Sequence, residues 1–288
     1  MNKLNGFLVL NKPSGITSRE ACVKVKEILN VKKAGHSGTL DPNATGVLLI
    51  CLNDATKIMP ALQNLDKEYI ALMHVHKDIS TEKLKEVIND FVGEIYQVPP
   101  VRSAVARKLR KRMVYSIEIL SRNEKDVELK IRCQAGTYIR KLISDIGQKI
   151  SGAHMKTLQR TKVGAFGIEQ SHTIDELKNE KQIRKMILPV DTAVEHLKKI
   201  IIKDSAIKSV CNGAPIFQKD ILNSDKNIKM TSPKSFYLFR DKDYNTSLNN
   251  IKRNELISIL SSSNELIALG RFKGDKIVAK IERVIKNA

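Results

Sequence analysis

The chain has 288 residues, with 50 Lys and Arg against 31 Asp and Glu for a formal net charge of +19, and 42% of it is hydrophobic. That apolar content supports a packed core, so the charge belongs to a folded protein and not to a disordered tail. No apolar stretch approaches the ~18–20 residues of a membrane span, Gly6–Leu10 is too short for a signal peptide, and Cys22, Cys51, Cys133 and Cys211 show neither C-x-x-C pairing nor zinc spacing. A reduced, cytoplasmic setting and a polyanionic partner, most simply nucleic acid, are the expectation.

Gly6–Leu10 reads as a strand ended by the turn residues Asn11-Lys12-Pro13-Ser14-Gly15. Ser18 is the expected cap of a helix with Ala21, Cys22, Val25, Ile28 and Leu29 on one face. A Gly-rich loop, Gly35-His36-Ser37-Gly38-Thr39-Leu40-Asp41-Pro42, leads into a buried strand at Val47–Cys51. Glu68–His76 is predicted as a strand and Ser80–Phe91 as a capped helix with Leu84, Val87, Ile88 and Phe91 inward. Val127, Leu129, Ile131 and Cys133 alternate as in a half-buried strand, and Tyr138–Ile150 follows as a helix. Strands and helices mix without regular alternation, so the fold class is α+β with a mostly antiparallel sheet. A helical Ala193–Leu197 closes this part, and residues 1–197 and 198–288 are expected to form separate domains. In the second, Ile200–Ile202, Phe236–Phe239, Leu266–Leu269 and Ile277–Ile281 read as strands, and Asn223–Lys234 and Asp241–Arg253 as loops.

The loop around Asp41 carries the clearest chemical signal. Gly35 and Gly38 let its backbone approach a ligand, and Pro42 stiffens the exit. A carboxylate held this way suits nucleophilic or base catalysis, although Asp-Pro after a Gly-rich turn is also ordinary loop chemistry. Arg102, Arg107, Lys108, Arg110, Lys111 and Arg112 put six cations into eleven residues with no acid among them, which favours phosphate contact over a merely solvated face. His74 and His76 read as structural, with no metal role.

Read together, four blocks resemble the TruB/dyskerin pseudouridine synthases. They are Lys12-Pro13-Ser14-Gly15-Ile16-Thr17-Ser18, Ala34 through Leu48, Lys67-Glu68-Tyr69, and Ala135-Gly136-Thr137-Tyr138-Ile139-Arg140-Lys141-Leu142-Ile143. His154-Met155 and Leu158-Gln159-Arg160-Thr161 fit the same order. The resemblance covers about residues 5–197 and is greatest to the archaeal dyskerin branch, through the direct run from Tyr69 to His76, the basic stretch after Pro99-Pro100-Val101, and the passage from Pro189 to Ala206.

The resemblance implies a pseudouridine synthase catalytic domain followed by a small β-barrel-like PUA domain. The reaction, uridine to pseudouridine, is redox-neutral and implies no cofactor; no G-x-G-x-x-G, P-loop or metal spacing is present. Asp41 becomes the catalytic carboxylate, as nucleophile or base, ionised within a mostly dry pocket and paired with Arg140, which would otherwise read as a solvated helix residue. Tyr69 becomes the active-site tyrosine, otherwise an ordinary strand residue. In the substrate-binding set, His36 would fill the space of the extruded base, with bonding to its own backbone as the alternative, Leu158 would wall the pocket, and Lys12 would support the Asp41 loop, with Tyr138 completing the set. The implied partners are guide RNA, substrate RNA (rRNA, with tRNA as a second class) and small accessory proteins of an H/ACA particle: a zinc-ribbon type, a glycine–arginine-type β-barrel and a kink-turn-binding ribosomal type. No membrane is involved. Two alternatives stand beside this: a stand-alone synthase for the tRNA T-loop, and a non-catalytic RNA-binding scaffold. A Pro-Gly-Ile turn usual for the PUA fold is missing after Ile216, and Gln218–Ser262 has no clear match.

Overall fold

The computed structural model describes residues 4–99, 106–222, 251–274 and 276–286. Its first part runs β1 (Gly6–Lys12), α1 (Ser18–Ile28), β2 (Ala34–His36), β3 (Thr45–Leu52), α2 (Met59–Gln63), β4 (Lys67–Val75), α3 (Thr81–Asn89), β5 (Gly93–Gln97), β6 (Arg110–Asn123), β7 (Asp126–Cys133), α4 (Ile139–Lys149), β8 (Ala153–Val163) and β9 (Phe166–Gly167). The strands join in one nine-stranded sheet of main order β1-β3-β8-β4-β7-β6-β5, with β2 added to β3 and β9 to β8. Only β3 and β8 pair in parallel, through Thr45 with Gln159 and Gly46 with Arg160.

β1 over Phe7–Leu10 and β3 over Val47–Leu52 are continuously apolar because both their faces are covered. Leu8, Leu10, Leu48 and Ile50 pack against Ala21, Cys22 and Val25 of α1. Phe7, Val9, Val47 and Leu49 face Ala55, Ile58 and Leu62 on the other side. β4 instead alternates. Tyr69, Ala71, Met73 and Val75 turn inward with Leu129 and Ile131 of β7 onto Leu84, Val87 and Ile88 of α3 and Leu142, Ile143 and Ile146 of α4. Each such aliphatic side chain contributes about 1.5–3 kcal/mol on burial.

Two local expectations change. The cap of α1 is Thr17, whose hydroxyl accepts from the Glu20 amide at 3.1 Å while the Glu20 carboxylate accepts from the Thr17 amide at 2.6 Å. Ser18 turns inward and exchanges hydrogen bonds with Leu40, accepting from its amide at 2.8 Å and donating to its carbonyl at 3.1 Å. The expected helix at Ala193–Leu197 is a 3-10 turn over Val190–Val194. Its apolar pair is divided, Ala193 packing under the first sheet and Val194 against the second, and a single helix face does not serve both directions.

Helix α5 (Glu180–Met186) still belongs to the first part, Met186 packing with Leu8 and Leu10, and the second part holds β10 (Lys198–Ile201), α6 (Asp204–Cys211), β11 (Ile216–Phe217), β12 (Leu256–Leu260), β13 (Leu266–Phe272) and β14 (Ile277–Val284). Five strands follow the order β10-β12-β13-β14-β11. The sheet curls until its ends meet: Ile202 bridges Ile221, and the Leu222 amide donates to the Ile201 carbonyl at 2.9 Å. Ile200, Ile216, Ile257, Ile259, Ile267 and Phe272 fill it. Leu256, Leu260, Leu266 and Leu269 pack on Ala61 and Val194, joining the curled sheet to the rest. The α+β class therefore stands. Helix α6 and strand β12 were not anticipated, and Phe236–Phe239 lies outside the described residues.

Gly46 sits where the parallel seam is tightest. Its φ is +101°, and a Cβ there would lie 2.2 Å from the Arg160 carbonyl oxygen. Gly46→Ala is expected to cost about 2–4 kcal/mol in urea unfolding; a loss below about 0.5 kcal/mol would show that the seam yields freely.

Candidate active site

The stretch from Ser37 to Ala44 links β2 to β3 and is gripped from two sides. On one side lies Lys12, fully buried, whose ammonium donates to the carbonyls of Pro13 at 2.7 Å, Ile16 at 2.7 Å and Pro42 at 3.0 Å. The Gly15 amide also reaches the Pro42 carbonyl at 3.0 Å, and the Ser14 hydroxyl reaches that of Asn43 at 3.2 Å. The Lys12–Ser18 block is thus a cradle for the loop. Lys12 meets this loop from beneath and has its charge occupied by carbonyls, so its place in the substrate-binding set is corrected to support.

On the other side lies Arg160, 2% exposed. Its Nε donates to the Val47 carbonyl at 2.7 Å and its Nη2 to that of Gly38 at 3.1 Å. Sequence reading placed Arg160 in a matching block without giving it a role; a lone arginine on a strand carries no periodic signal that it points inward.

Held in this way, Asp41 meets the first turn of α4, where Arg140 Nη2 donates to its Oδ2 at 2.6 Å. The two groups lie 99 positions apart in the chain. The pair is not dry: the side chains are 46% and 63% exposed. The expectation of a water-shielded carboxylate is therefore corrected for the protein alone, because Arg140 and Asp41 both reach solvent and no element among the described residues covers them. Tyr138 caps α4, its amide donating to Gln97 Oε1 at 2.9 Å and its carbonyl accepting from Gln97 Nε2 at 3.2 Å, so buried Gln97 ties the start of α4 to β5.

Tyr69 and Leu158 are both buried and share a cluster with Leu40 and Ala44 of the loop. Burial pushes the Tyr69 phenol up, a trend that the neighbouring Arg160 opposes; the phenol is neutral at physiological pH and can donate a proton. His36, on β2, has its Nδ1 buried with no hydrogen-bond partner among the described residues, which disfavours the reading in which it bonds its own backbone. Burial, and then Arg160, hold its pKa below the ordinary value, so it is a neutral ring.

The basic stretch is divided by strand geometry. Arg102 lies outside the described residues. Arg107 and Lys108 are exposed ahead of β6. Lys111 pairs with Glu94 of the adjoining strand, so a run that holds no acid in sequence gains one by cross-strand register. Arg110 donates to the Ala106 carbonyl at 3.3 Å. Arg112 tucks beside Gly136, its Nε buried without a partner among the described residues. At the far end of β4, His74 Nδ1 meets Asp126 at 2.6 Å and His76 Nε2 meets His154 Nδ1 at 2.8 Å. Among the described residues no group of three or more His, Cys, Asp or Glu is arranged to hold a metal ion, and no helix is long and apolar enough to cross a membrane.

Lys67, 6% exposed, donates to the carbonyls of Gln63 at 2.8 Å and Leu65 at 2.5 Å. Burial first, then Arg160, push its pKa down to about 8. Because the unfolded chain holds this proton up to about pH 10.5, stability contributed by Lys67 rises as pH passes from 8 to 10.5 and is lowest below 8. Between pH 7.5 and 9.5 the stability difference between the parent and Lys67→Met should move by about 2 kcal/mol in favour of the parent, read from urea unfolding at both pH values. A constant difference would place Lys67 in contact with water.

Comparison with known proteins agrees with this geometry. A model described as TruB family pseudouridylate synthase (N terminal domain) matches residues 26–139, and one for the tRNA pseudouridylate synthase B C-terminal domain matches residues 140–195. A protein named probable tRNA pseudouridine synthase B from Methanocaldococcus jannaschii is 43% identical over 234 residues, covering 77% of this chain and 70% of its own. Its namesake from Archaeoglobus fulgidus is 38% identical, covering 97% and 85%. A chain in the crystal structure of a Cbf5–Nop10–Gar1 complex superposes with a TM-score of 0.82 at 39% identity over 99% of this chain and 86% of that one. A chain in an H/ACA RNP bound to a substrate RNA containing 2′-deoxyuridine gives 0.77 at 36% identity, covering 98% and 86%.

Proposed function

The chain belongs to the TruB family of pseudouridine synthases and is an RNA isomerase; from that premise we propose that it is the catalytic subunit of a guide-RNA particle of the H/ACA type, with Asp41, Tyr69 and Arg140 as its catalytic residues. The observation that carries the residue assignment is the 2.6 Å contact that brings Arg140 to Asp41 beside Tyr69.

Isomerisation breaks the bond from uracil N1 to ribose C1′, turns the base, and joins C5 to C1′, the C5 proton leaving as N1 regains one. Asp41 acts on the ribose in either of the two ways open to a carboxylate, as nucleophile or as base. Arg140 keeps it ionised and oriented. A nucleotide seated over the pair displaces the water that reaches it in the free protein, strengthening that contact when it is needed. Tyr69, neutral, lies against the base and can donate or relay a proton. Extrusion of the uridine costs a few kcal/mol, and the neutral His36 ring near the loop fills the vacated space by stacking. Leu158 walls the pocket, and Arg107, Lys108, Arg110 and Arg112 meet phosphate, with Arg102 in the same stretch.

The guide-dependent reading is supported by likeness, over nearly the whole chain, to chains solved within H/ACA complexes. Those complexes are the ground for proposing Nop10-like and Gar1-like proteins together with guide and substrate RNA as partners. The alternative, a stand-alone enzyme acting on the tRNA T-loop, is favoured by the names of the archaeal relatives. We divide the chain at 197/198 into a catalytic domain and a PUA-like RNA-binding domain, and place the protein in the cytoplasm.

Mapping pseudouridine after incubation with substrate, with and without guide RNA, separates the readings: product only with the guide supports the particle, and efficient turnover of bare tRNA supports the stand-alone enzyme. Asp41→Asn is expected to lower the isomerisation rate by at least ~10³-fold while RNA affinity stays within about threefold. Equal loss of both would remove Asp41 from catalysis. Neutralising Arg107, Lys108 and Arg110 together is expected to reduce the slope of log affinity against log salt by up to ~2–3; an unchanged slope would put the phosphate contacts elsewhere.

A further inference from the structure

We propose that Arg160 is a positioning residue for this reaction, locking the Tyr69 side chain and the Asp41 loop into one rigid unit. The inference rests on the reading of Asp41 as the catalytic carboxylate and assigns a role to a residue that never faces the substrate.

Strand β8 alone pairs with both β3, which receives the loop, and β4, which carries Tyr69. In the ladders the residue opposite Gly46 and the residue opposite Tyr69 are the same one, Arg160. Its side chain then turns onto the loop and meets carbonyls on both sides of Asp41: Val47 at 2.7 Å beyond it, Gly38 at 3.1 Å and Thr39 at 3.5 Å before it. A guanidinium offers five donors in a fixed plane, so one group spans both loop arms and still has capacity for a phenol oxygen; an ammonium, with three donors on one atom, would have to give up part of this set.

No carboxylate pairs with Arg160 among the described residues, although it is 2% exposed. An arginine buried without an acid costs several kcal/mol, a cost that a leucine-like side chain at this strand position would avoid. What the charge supplies is reach. After burial itself, Arg160 is the next influence on the pKa values of Lys12, Lys67, His36 and Tyr69, so one guanidinium lies within electrostatic range of all four side chains. Tyr69 itself stands opposite Arg160 in the ladder, and a hydrogen bond from Arg160 is among the influences that oppose the rise in its phenol pKa. Gly46 fits the same arrangement: any Cβ there would displace the Arg160 backbone.

The test is a double-mutant cycle in single-turnover isomerisation, on the particle or the free protein according to which is active. Arg160→Lys is expected to slow the chemical step by roughly 10²-fold while RNA affinity changes less than about threefold. In a Tyr69→Phe background, which lacks the hydroxyl that Arg160 orients, the same substitution is expected to cost no more than about tenfold. Effects that multiply independently, or a parallel fall in RNA affinity, would overturn the proposal. Arg160→Gln is run alongside, and the cycle is closed with whichever variant melts within about 5 °C of the parent; if neither folds, Arg160 is a fold-holding residue and the proposal falls. Asp41→Asn separates the two levels: an active Asp41→Asn protein removes the functional reading itself, whereas an inert one with an independent Arg160 effect removes this inference alone.

Discussion

The structure depends on one unusual exchange: buried cations satisfied by backbone carbonyls instead of acids. Lys12 and Arg160 both lie at or below 2% exposure, and between them they hold carbonyls at positions 13, 16, 38, 39, 42 and 47. Loops are ordinarily the most mobile parts of a domain. A loop whose carbonyls are taken by charged donors from two directions behaves like a piece of the sheet, because charge-assisted bonds are about twice as strong as neutral ones. A carboxylate mounted on such a loop keeps its position when RNA arrives.

This arrangement also explains how an exposed aspartate can serve in a site that needs low dielectric. Tyr69, Leu158 and Leu40 are buried together in one apolar cluster, and among the described residues Lys12 and Arg160 donate to carbonyls and to no carboxylate. Asp41 and Arg140 stand at the rim. The protein supplies the dry floor and the positive field, and the polyanion supplies the roof. The excess of nineteen positive charges acts at long range in the same direction.

Much of this was legible in the order of residues. Strands β1, β3, β4 and β7, helix α3 and helix α4 follow their apolar periods closely, because each buries a single face or a continuous run. The motif blocks singled out Asp41, Tyr69 and Arg140, and the fold brings Arg140 to Asp41 and packs Tyr69 with Leu40 of the loop. What the linear pattern concealed has physical reasons. β6, fourteen residues long, begins inside the basic stretch, and its charges masked its strand character until Glu94 and Gln97 are seen across the ladder. β12 (Leu-Ile-Ser-Ile-Leu) is buried on both faces and lacks the alternation that marks a half-exposed strand. Thr17 took the cap because Glu20 completes a reciprocal pair with it and because Ser18 is needed inside to hold Leu40. Arg160 was the largest omission, since the need for a cation at that depth is set by carbonyls gathered from two separate stretches, Gly38-Thr39 and Val47.

The parallel contact between β3 and β8 spans two residue pairs, whereas β1 and β3 share seven and β4 and β7 eight. Asp41 stands on one side of that seam, while Tyr69, Leu158 and Arg140 stand on the other. Val163 and Phe166 pack with Phe7, Val9, Val47 and Leu49 across it, and Arg160 clasps the Val47 and Gly38 carbonyls. The seam is therefore like a soldered joint, with little ladder and much filler: a load applied at β1 or at β5 reaches the gap between Asp41 and Tyr69 as a shift of the whole body and not as a change of spacing.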